Sequence, residues 1–234
     1  MKFVALGDSA LVVHLREELG KPNETLTVVR RALELLQRAA LPGVTELTAS
    51  YTTVAIFFDP VIVARHANDE SSTQWLIARV TQTLRKPRAF RGKGGGKLFE
   101  IPVCYDGEFA LDLAAVAQHA GVSEQEVVRR HSGGEYRVHC IGFTPGFPYL
   151  SGLPVELAIP RRPSPRKHVP MGSVAIVGEQ TGIYPQTSPG GWNVIGRTPR
   201  RLFDPEQAPP ALLQAGDCVR FHPITRAEFE TLAR

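Results

Sequence analysis

The sequence has few of the residues that mark common structural and catalytic frameworks. Its three cysteines, at positions 104, 140 and 218, have no CxxC spacing, so we expect neither a disulfide framework nor a structural zinc site. No GxSxG turn is present, and the seven histidines show no metal-ligand spacing. The spacing of the residues therefore predicts no metal site and leaves the catalytic residues unknown.

Long hydrophobic runs and strong charge are also missing. The N-terminal segment MKFVALGDSALVVHL is interrupted by Asp8 and His14, which argues against a signal peptide or a membrane span. We therefore expect a cytoplasmic protein without a membrane partner. The formal charge of +4 permits acidic partners without demanding them.

The first 85 residues have the pattern of a small α/β unit. Short β-rich runs lie at 2–6, 10–15, 44–49 and 53–58, and helical spacing covers 25–40 and resumes at Ser72. This order predicts helices on one face of an antiparallel sheet.

A glycine- and lysine-rich stretch, KPRAFRGKGGGK at 86–97, follows this unit. We interpret it as a flexible linker and expect two domains, residues 1–88 and 89–234. A phosphate-binding P-loop is the alternative, but Arg91 takes the position of its first glycine and Leu98 follows its lysine.

Two helices are predicted after the strand that follows the linker. Asp112 is the expected N-cap of the first helix, and Ser123 with Glu126 forms a capping box for the second. Residues 116–130 resemble a DNA-binding helix-turn-helix. Glu124 and Glu126 would, however, place negative charge near the phosphates, so we expect a structural helical pair and no nucleic acid.

The pattern changes from residue 134 onward, where short alternating strands are separated by irregular segments. Residues 142–205 contain nine glycines and eleven prolines, too many for helices. This composition predicts a small closed β-barrel with long structured loops.

Two segments of this half carry candidate ligand chemistry. The first is a basic arm with Arg161, Arg162, Arg166, Lys167 and His168 between prolines. Because proline keeps a segment extended, its arginines could bind a carboxylate or phosphate. A solvated loop, or pairing with a partner subunit, is the alternative interpretation.

The second segment is SPGGW, residues 188–192. We expect Gly190 and Gly191 to turn the chain with φ > 0 and to let the backbone approach a ligand. Trp192 is predicted to lie in the barrel core.

Several motifs of the chain resemble one family, known as allophanate hydrolase subunit 1 or the carboxyltransferase domain subdomain family. They are GFTPGF (142–147), YL (149–150), PR (165–166), VP (169–170), GSVAI (172–176), QT (180–181), IYP (183–185), SPGGW (188–192) and GRTP (196–199). The resemblance covers nearly the whole chain, with Met171 as a mild departure. It implies an α+β fold, with a ferredoxin-like N-terminal domain and a cyclophilin-like β-barrel.

The resemblance also implies a function. Family members include the B subunit of bacterial 5-oxoprolinase, so we expect one subunit of an ATP-dependent complex that opens 5-oxo-L-proline to L-glutamate. ATP with magnesium and companion A and C subunits are implied, and the chain alone should be inactive. Other members inhibit a sensor histidine kinase, which leaves a regulator as an alternative. A subunit of an allophanate- or urea-related amidohydrolase or carboxyltransferase is a further one.

Residues that match the family's motifs are the implied substrate-binding residues. They are Phe143, Pro145, Gly146, Phe147, Arg166, Gln180, Tyr184, Ser188, Gly190, Gly191 and Arg197.

Overall fold

A computed structural model describes residues 1–15, 22–68, 70–85 and 96–233. The chain divides into two compact units, Met1–Gly94 and Gly95–Arg234. The expected boundary between residues 88 and 89 and most of the expected linker lie outside the described residues, so the boundary stays a prediction.

The described residues of the first unit form four strands and three helices. They are β1 (Lys2–Leu6), β2 (Ala10–His14), α1 (Pro22–Ala39), β3 (Val44–Ser50), β4 (Thr53–Phe58), α2 (Pro60–Ala67) and α3 (Ser72–Arg85). The strands form an antiparallel sheet in the order β1-β2-β4-β3. Alternate residues such as Leu11, Val13 and Ile56 are fully buried in one cluster with residues of α1 and α3, as period-2 strands and amphipathic helices require.

The chain order of this unit differs from the ferredoxin-like motif. That motif runs β-α-β-β-α-β, whereas here the two consecutive strands β1 and β2 precede the first helix. An antiparallel sheet with helices is therefore present, and the ferredoxin-like assignment stays a prediction.

The described residues of the second unit form nine strands and three α-helices. They are β5 (Leu98–Val103), α4 (Leu113–Ala120), α5 (Glu124–Ser132), β6 (Glu135–Ile141), β7 (Pro148–Ser151), β8 (Arg166–Val169), β9 (Ser173–Val177), β10 (Gln180–Ile183), β11 (Ser188–Gly190), β12 (Asn193–Arg197), β13 (Cys218–Pro223) and α6 (Arg226–Leu232). Seven strands form one sheet in the order β12-β9-β10-β7-β6-β13-β5, and β8 pairs separately with β11.

The seven-stranded sheet curls into a nearly closed barrel. Cys104, directly after β5, exchanges two backbone hydrogen bonds of 2.8 and 2.9 Å with Arg197 at the end of β12. These bonds join the ends of the two outer strands, so the edges of the sheet meet at this point. The prediction of a β-barrel in the second half is confirmed, as is the α+β class.

The predicted helical pair is present as α4 and α5. Ser123 caps α5 by accepting a hydrogen bond of 3.2 Å from the backbone N–H of Glu126. The Glu126 carboxylate does not complete the capping box, because it binds Arg129 and Arg130 at 2.6 Å. These two hydrogen bonds lower the pKa of Glu126 to about 2.

A hydrogen-bonded histidine lies inside the barrel. His131 Nδ1 is 2.8 Å from the Tyr105 hydroxyl, and Nε2 is 3.1 Å from Thr181 Oγ1. The Thr181 hydroxyl donates its proton to the carbonyl of Ala175, so it can only accept a hydrogen bond from His131. His131 Nε2–H therefore donates to Thr181, and Nδ1 accepts from the Tyr105 hydroxyl. Complete burial lowers the pKa of His131 to about 3.

This histidine predicts a pH dependence of stability. An unfolded histidine has a pKa of about 6.5. Between that value and the folded pKa of about 3, only the unfolded chain binds the extra proton, so acidification favours unfolding. The contribution of His131 to the free energy of unfolding is fully present above pH ~6.5 and falls by about 1.4 kcal/mol per pH unit below it.

Denaturant unfolding at several pH values between 7 and 5 checks this expectation. The variant His131→Phe should be less stable at pH 7, because Tyr105 and Thr181 lose a partner, and its stability should fall less steeply with acidification. Equal slopes for the two proteins would contradict the assignment.

Candidate functional site

The basic arm and the SPGGW segment lie side by side. The backbone N–H of Arg162 donates to the carbonyl of Gly191 at 2.9 Å. The side chain of Asn193 donates to the carbonyl of Pro160, also at 2.9 Å. Further along, β8 and β11 pair through Arg166 and Gly190. The two segments that the sequence singled out therefore form one site.

Asp112 joins this site to the start of α4. Its carboxylate accepts hydrogen bonds of 2.6 and 3.0 Å from the guanidinium of Arg166 and another from Nη1 of Arg162. The backbone N–H of Val194 donates to the same carboxylate at 2.8 Å. Asp112 is the N-cap residue of α4, as predicted, but its side chain makes no capping hydrogen bond.

The pairing changes the interpretation of Arg166. Its guanidinium is held bidentately by a carboxylate that is only 3% exposed, which is among the strongest geometries for this pair. Arg166 therefore supports the arm from within, and its implied role in substrate binding stays a prediction.

An open pocket of about 400 Å³ lies beside the arm. Ala115, Gln118 and His119 of α4 form one side, Ile159 and residues 160–163 form another, and Asn193 also lines the pocket. Arg161 and Arg162 are the charged arm residues that face this space.

A buried cluster of aromatic side chains packs beneath the surface at SPGGW. The Phe147 ring lies 5.0 Å from Tyr149, 5.2 Å from Tyr184 and 5.5 Å from Trp192 between ring centroids. Trp192 is buried, as expected, but in this separate cluster and not in the main barrel core. Burial raises the pKa of the Tyr184 hydroxyl, against a smaller lowering by the backbone N–H of Trp192 and the charge of Arg161.

The two glycines of SPGGW have different structural roles. Neither lies in the left-handed region, so the expectation of φ > 0 was wrong. A Cβ on Gly190 would lie 2.3 Å from the Tyr184 hydroxyl oxygen, whereas a Cβ on Gly191 would meet nothing nearer than Pro165 at 3.7 Å. Close approach to Tyr184 explains Gly190, and no comparable obstacle exists at Gly191.

The GFTPGF loop projects one aromatic ring outward. Phe143 has a φ of +69°, a rare and costly conformation for a residue with a Cβ, and it is 63% exposed. Its ring meets buried Phe147 edge-on at 5.6 Å. Gly146 has a φ of +82°, and a Cβ there would meet Phe203 at 2.7 Å. Pro145, between them, is exposed.

Gln180 and Arg197 are implied site residues that lie elsewhere. Gln180 begins β10 and Tyr184 follows its end, so they are at opposite ends of the strand. Arg197 ends β12, and its guanidinium lies 5.9 and 6.0 Å from the rings of Phe109 and Phe229. Ser188, in contrast, opens β11 beside the arm.

Three site residues were missed by sequence reasoning. Asp112 was expected only to cap a helix, and Arg161 and Arg162 were seen in the basic cluster but not named as substrate-binding. Asp112 lies 54 positions from Arg166, so no local spacing signals the pair.

Metal-binding clusters and membrane spans are both absent from the part of the chain that the structure describes. No group of three or more His, Cys, Asp or Glu side chains among the described residues is arranged to hold a metal ion. None of the helices that the structure describes is long and apolar enough to cross a membrane.

The chain belongs to the carboxyltransferase domain family, because the family profile "Carboxyltransferase domain, subdomain C and D" matches residues 1–213. This match confirms the resemblance drawn from the motifs. Two curated relatives bear the name of the B subunit of 5-oxoprolinase. The one from Bacillus subtilis (strain 168) is 39% identical over 96% of this chain and 93% of its own length. The one from Escherichia coli O157:H7 is 41% identical over 93% of this chain and 94% of its own length.

A solved structure has the same fold. The crystal structure of TTHA0988 matches with a TM-score of 0.75 and 36% identity, over 92% of this chain and 40% of that chain. This chain thus spans about two fifths of the length of TTHA0988.

Proposed function

We propose that this chain is the B subunit of a cytoplasmic 5-oxoprolinase complex, which converts 5-oxo-L-proline to L-glutamate with hydrolysis of ATP. The observation that carries the proposal is the near full-length similarity to two proteins of that name, at 39% and 41% identity. The family match over residues 1–213 includes the arm and most of the barrel.

The chemistry of the reaction fits a subunit that supplies binding groups. A lactam carbonyl is a poor electrophile, and ATP with magnesium supplies the activation of its oxygen when bound to the complex. The substrate also carries a carboxylate, which arginine recognises well. The arm of this chain presents arginines beside a pocket of about 400 Å³, large enough for a small molecule.

The described residues contain no P-loop for the triphosphate of ATP. No described helix follows the G-x4-G-K-[ST] pattern that cradles a triphosphate through backbone N–H groups. We propose that ATP and magnesium bind in the assembled complex, together with the A and C subunits.

The alternatives are less well supported. The full-length relatives described above carry the name of an enzyme subunit, which favours the enzyme over a regulator of a sensor histidine kinase. Their name also favours 5-oxoprolinase over an allophanate- or urea-related enzyme.

Co-expression tests the proposal. We expect the chain to co-purify with A and C subunits and the complex to form L-glutamate only with both ATP and 5-oxo-L-proline. The purified chain alone should form none, because its partners complete the site. Robust glutamate formation by the single chain, or failure of the three proteins to associate, would contradict the proposal.

A further inference from the structure

The arginine arm carries more positive charge than the residues around it neutralise. Arg162 and Arg166 share one carboxylate, that of Asp112. Arg161 is exposed and forms no ion pair with any residue that the structure describes. No acidic side chain lines the neighbouring pocket. The pocket is therefore open to an anion from outside the chain.

Arg162 presents a buried donor with nothing to bind. Its Nη1 contacts Asp112, while its Nε is buried and has no hydrogen-bond partner among the described residues. A buried N–H without a partner is costly, and most such groups in proteins are satisfied. The Arg162 side chain as a whole is 31% exposed and lines the pocket, where an anion would offset its charge.

The arm is also fixed before any ligand arrives. The backbone N–H of Arg162 is bound to Gly191, and its guanidinium is held by Asp112. Prolines 160 and 163 flank the two arginines. Because the fold already fixes the two arginines, ordering them on ligand binding would cost little free energy.

We propose that this pocket binds a small carboxylate through Arg161 and Arg162. The identity of the ligand rests on the proposed function: it is the carboxylate of 5-oxo-L-proline or of the product L-glutamate. Gln118 lies at the same pocket, and its amide, like a lactam, carries both an N–H donor and a C=O acceptor. This side chain can exchange hydrogen bonds with the lactam ring.

A matched pair of variants tests the proposal. Arg161→Gln and Lys167→Gln each remove one positive charge from an exposed position of the arm, but only Arg161 lines the pocket. The purified full-length chain and both variants are titrated calorimetrically with 5-oxo-L-proline, L-glutamate and acetate at constant ionic strength. Neutral 2-pyrrolidinone, a lactam without a carboxylate, and inorganic phosphate serve as comparison ligands.

We expect the chain to bind 5-oxo-L-proline more tightly than 2-pyrrolidinone. Arg161→Gln should weaken binding of the carboxylate by about tenfold or more, since a charge-assisted hydrogen bond is lost. Lys167→Gln should change it by less than about twofold, because exposed charges at a distance are screened by salt. Equal losses in both variants, binding of phosphate alone, or no carboxylate binding at millimolar concentration would overturn the proposal.

The same variants in the assembled complex separate this proposal from the function on which it rests. If the complex makes glutamate and Arg161→Gln leaves the KM for 5-oxo-L-proline unchanged, the pocket assignment is wrong and the function stands. If the chain binds acetate through Arg161 while the complex makes no glutamate, the pocket stands as a carboxylate site and the proposed function is wrong.

Discussion

Replacing Asp112 by alanine is expected to lower the free energy of unfolding by about 3 kcal/mol, the lower end of the cost of breaking a buried ion pair. The carboxylate is 3% exposed and pairs with both Arg162 and Arg166. Its removal leaves two half-buried guanidinium groups without their counter-charge. It also leaves the backbone N–H of Val194 without its side-chain acceptor, which adds a desolvation cost.

Denaturant unfolding of the parent chain and three variants measures this effect. Glu135→Ala is the control, since it breaks the exposed pair with Arg220 and should cost no more than about 1 kcal/mol. Adding Arg166→Ala to Asp112→Ala should recover part of the loss, because one uncompensated charge is removed with it. A loss of about 1 kcal/mol with no coupling to Arg166 is what a simple helix cap would give, and would contradict the account.

Gly190→Ala is expected to destabilise the barrel by about 1–3 kcal/mol, the usual cost of overpacking, and to lower activity of the assembled complex. The new Cβ would lie 2.3 Å from the Tyr184 hydroxyl and 2.8 Å from its ring. Tyr184 is buried against Phe147, so it cannot move aside freely. The arm is paired to Gly190 through β8, and a shift of about 1 Å in a ligand site can cost on the order of 100-fold in rate.

Gly191→Ala is the matched control for this prediction. Its Cβ would make only ordinary contact with Pro165 at 3.7 Å, so its free energy of unfolding should stay within about 0.5 kcal/mol of the parent. Tyr184→Phe removes the hydroxyl and should partly rescue Gly190→Ala. Equal behaviour of the two glycine variants would show that SPGGW is only a turn.

Local sequence patterns predicted much of the fold because they report local physics. The alternating runs at the first four strands and the helical spacing of α1 and α3 matched the structure. Two helices were missed although their signals are present. Asp59 before Pro60 caps α2 by accepting hydrogen bonds of 2.8 and 3.1 Å, and Thr225 with Glu228 forms a capping box for α6.

The closure of the barrel could not be predicted from such patterns. Strand β13 pairs in parallel with β5, joining Cys218 to Leu98, and the bridge from Cys104 to Arg197 completes the ring. Pairings over about a hundred residues depend on the whole fold. The short strands β7, β8, β10 and β11 were also missed, since three or four residues carry too little alternation to detect.

The candidate site was predicted in its parts and not in its connections. The sequence motifs indicated both the arm and SPGGW as candidate ligand-binding segments, and the structure places the two segments together. Which arginine is held by a carboxylate and which faces a pocket depends on Asp112, which reaches the arm only through tertiary structure. The expectation of φ > 0 failed for a similar reason. Glycine is needed at position 190 because Tyr184 lies close to it in the folded chain, and not because the local turn requires a positive φ.

Formation of L-glutamate by mixed subunits tests the central claim most directly. Purified A and C subunits are supplied with ATP, magnesium and 5-oxo-L-proline, and this chain is titrated into the mixture. We expect the rate to rise from background with each addition and to saturate at a fixed stoichiometry. A rate that does not depend on the chain, at any concentration, would contradict it.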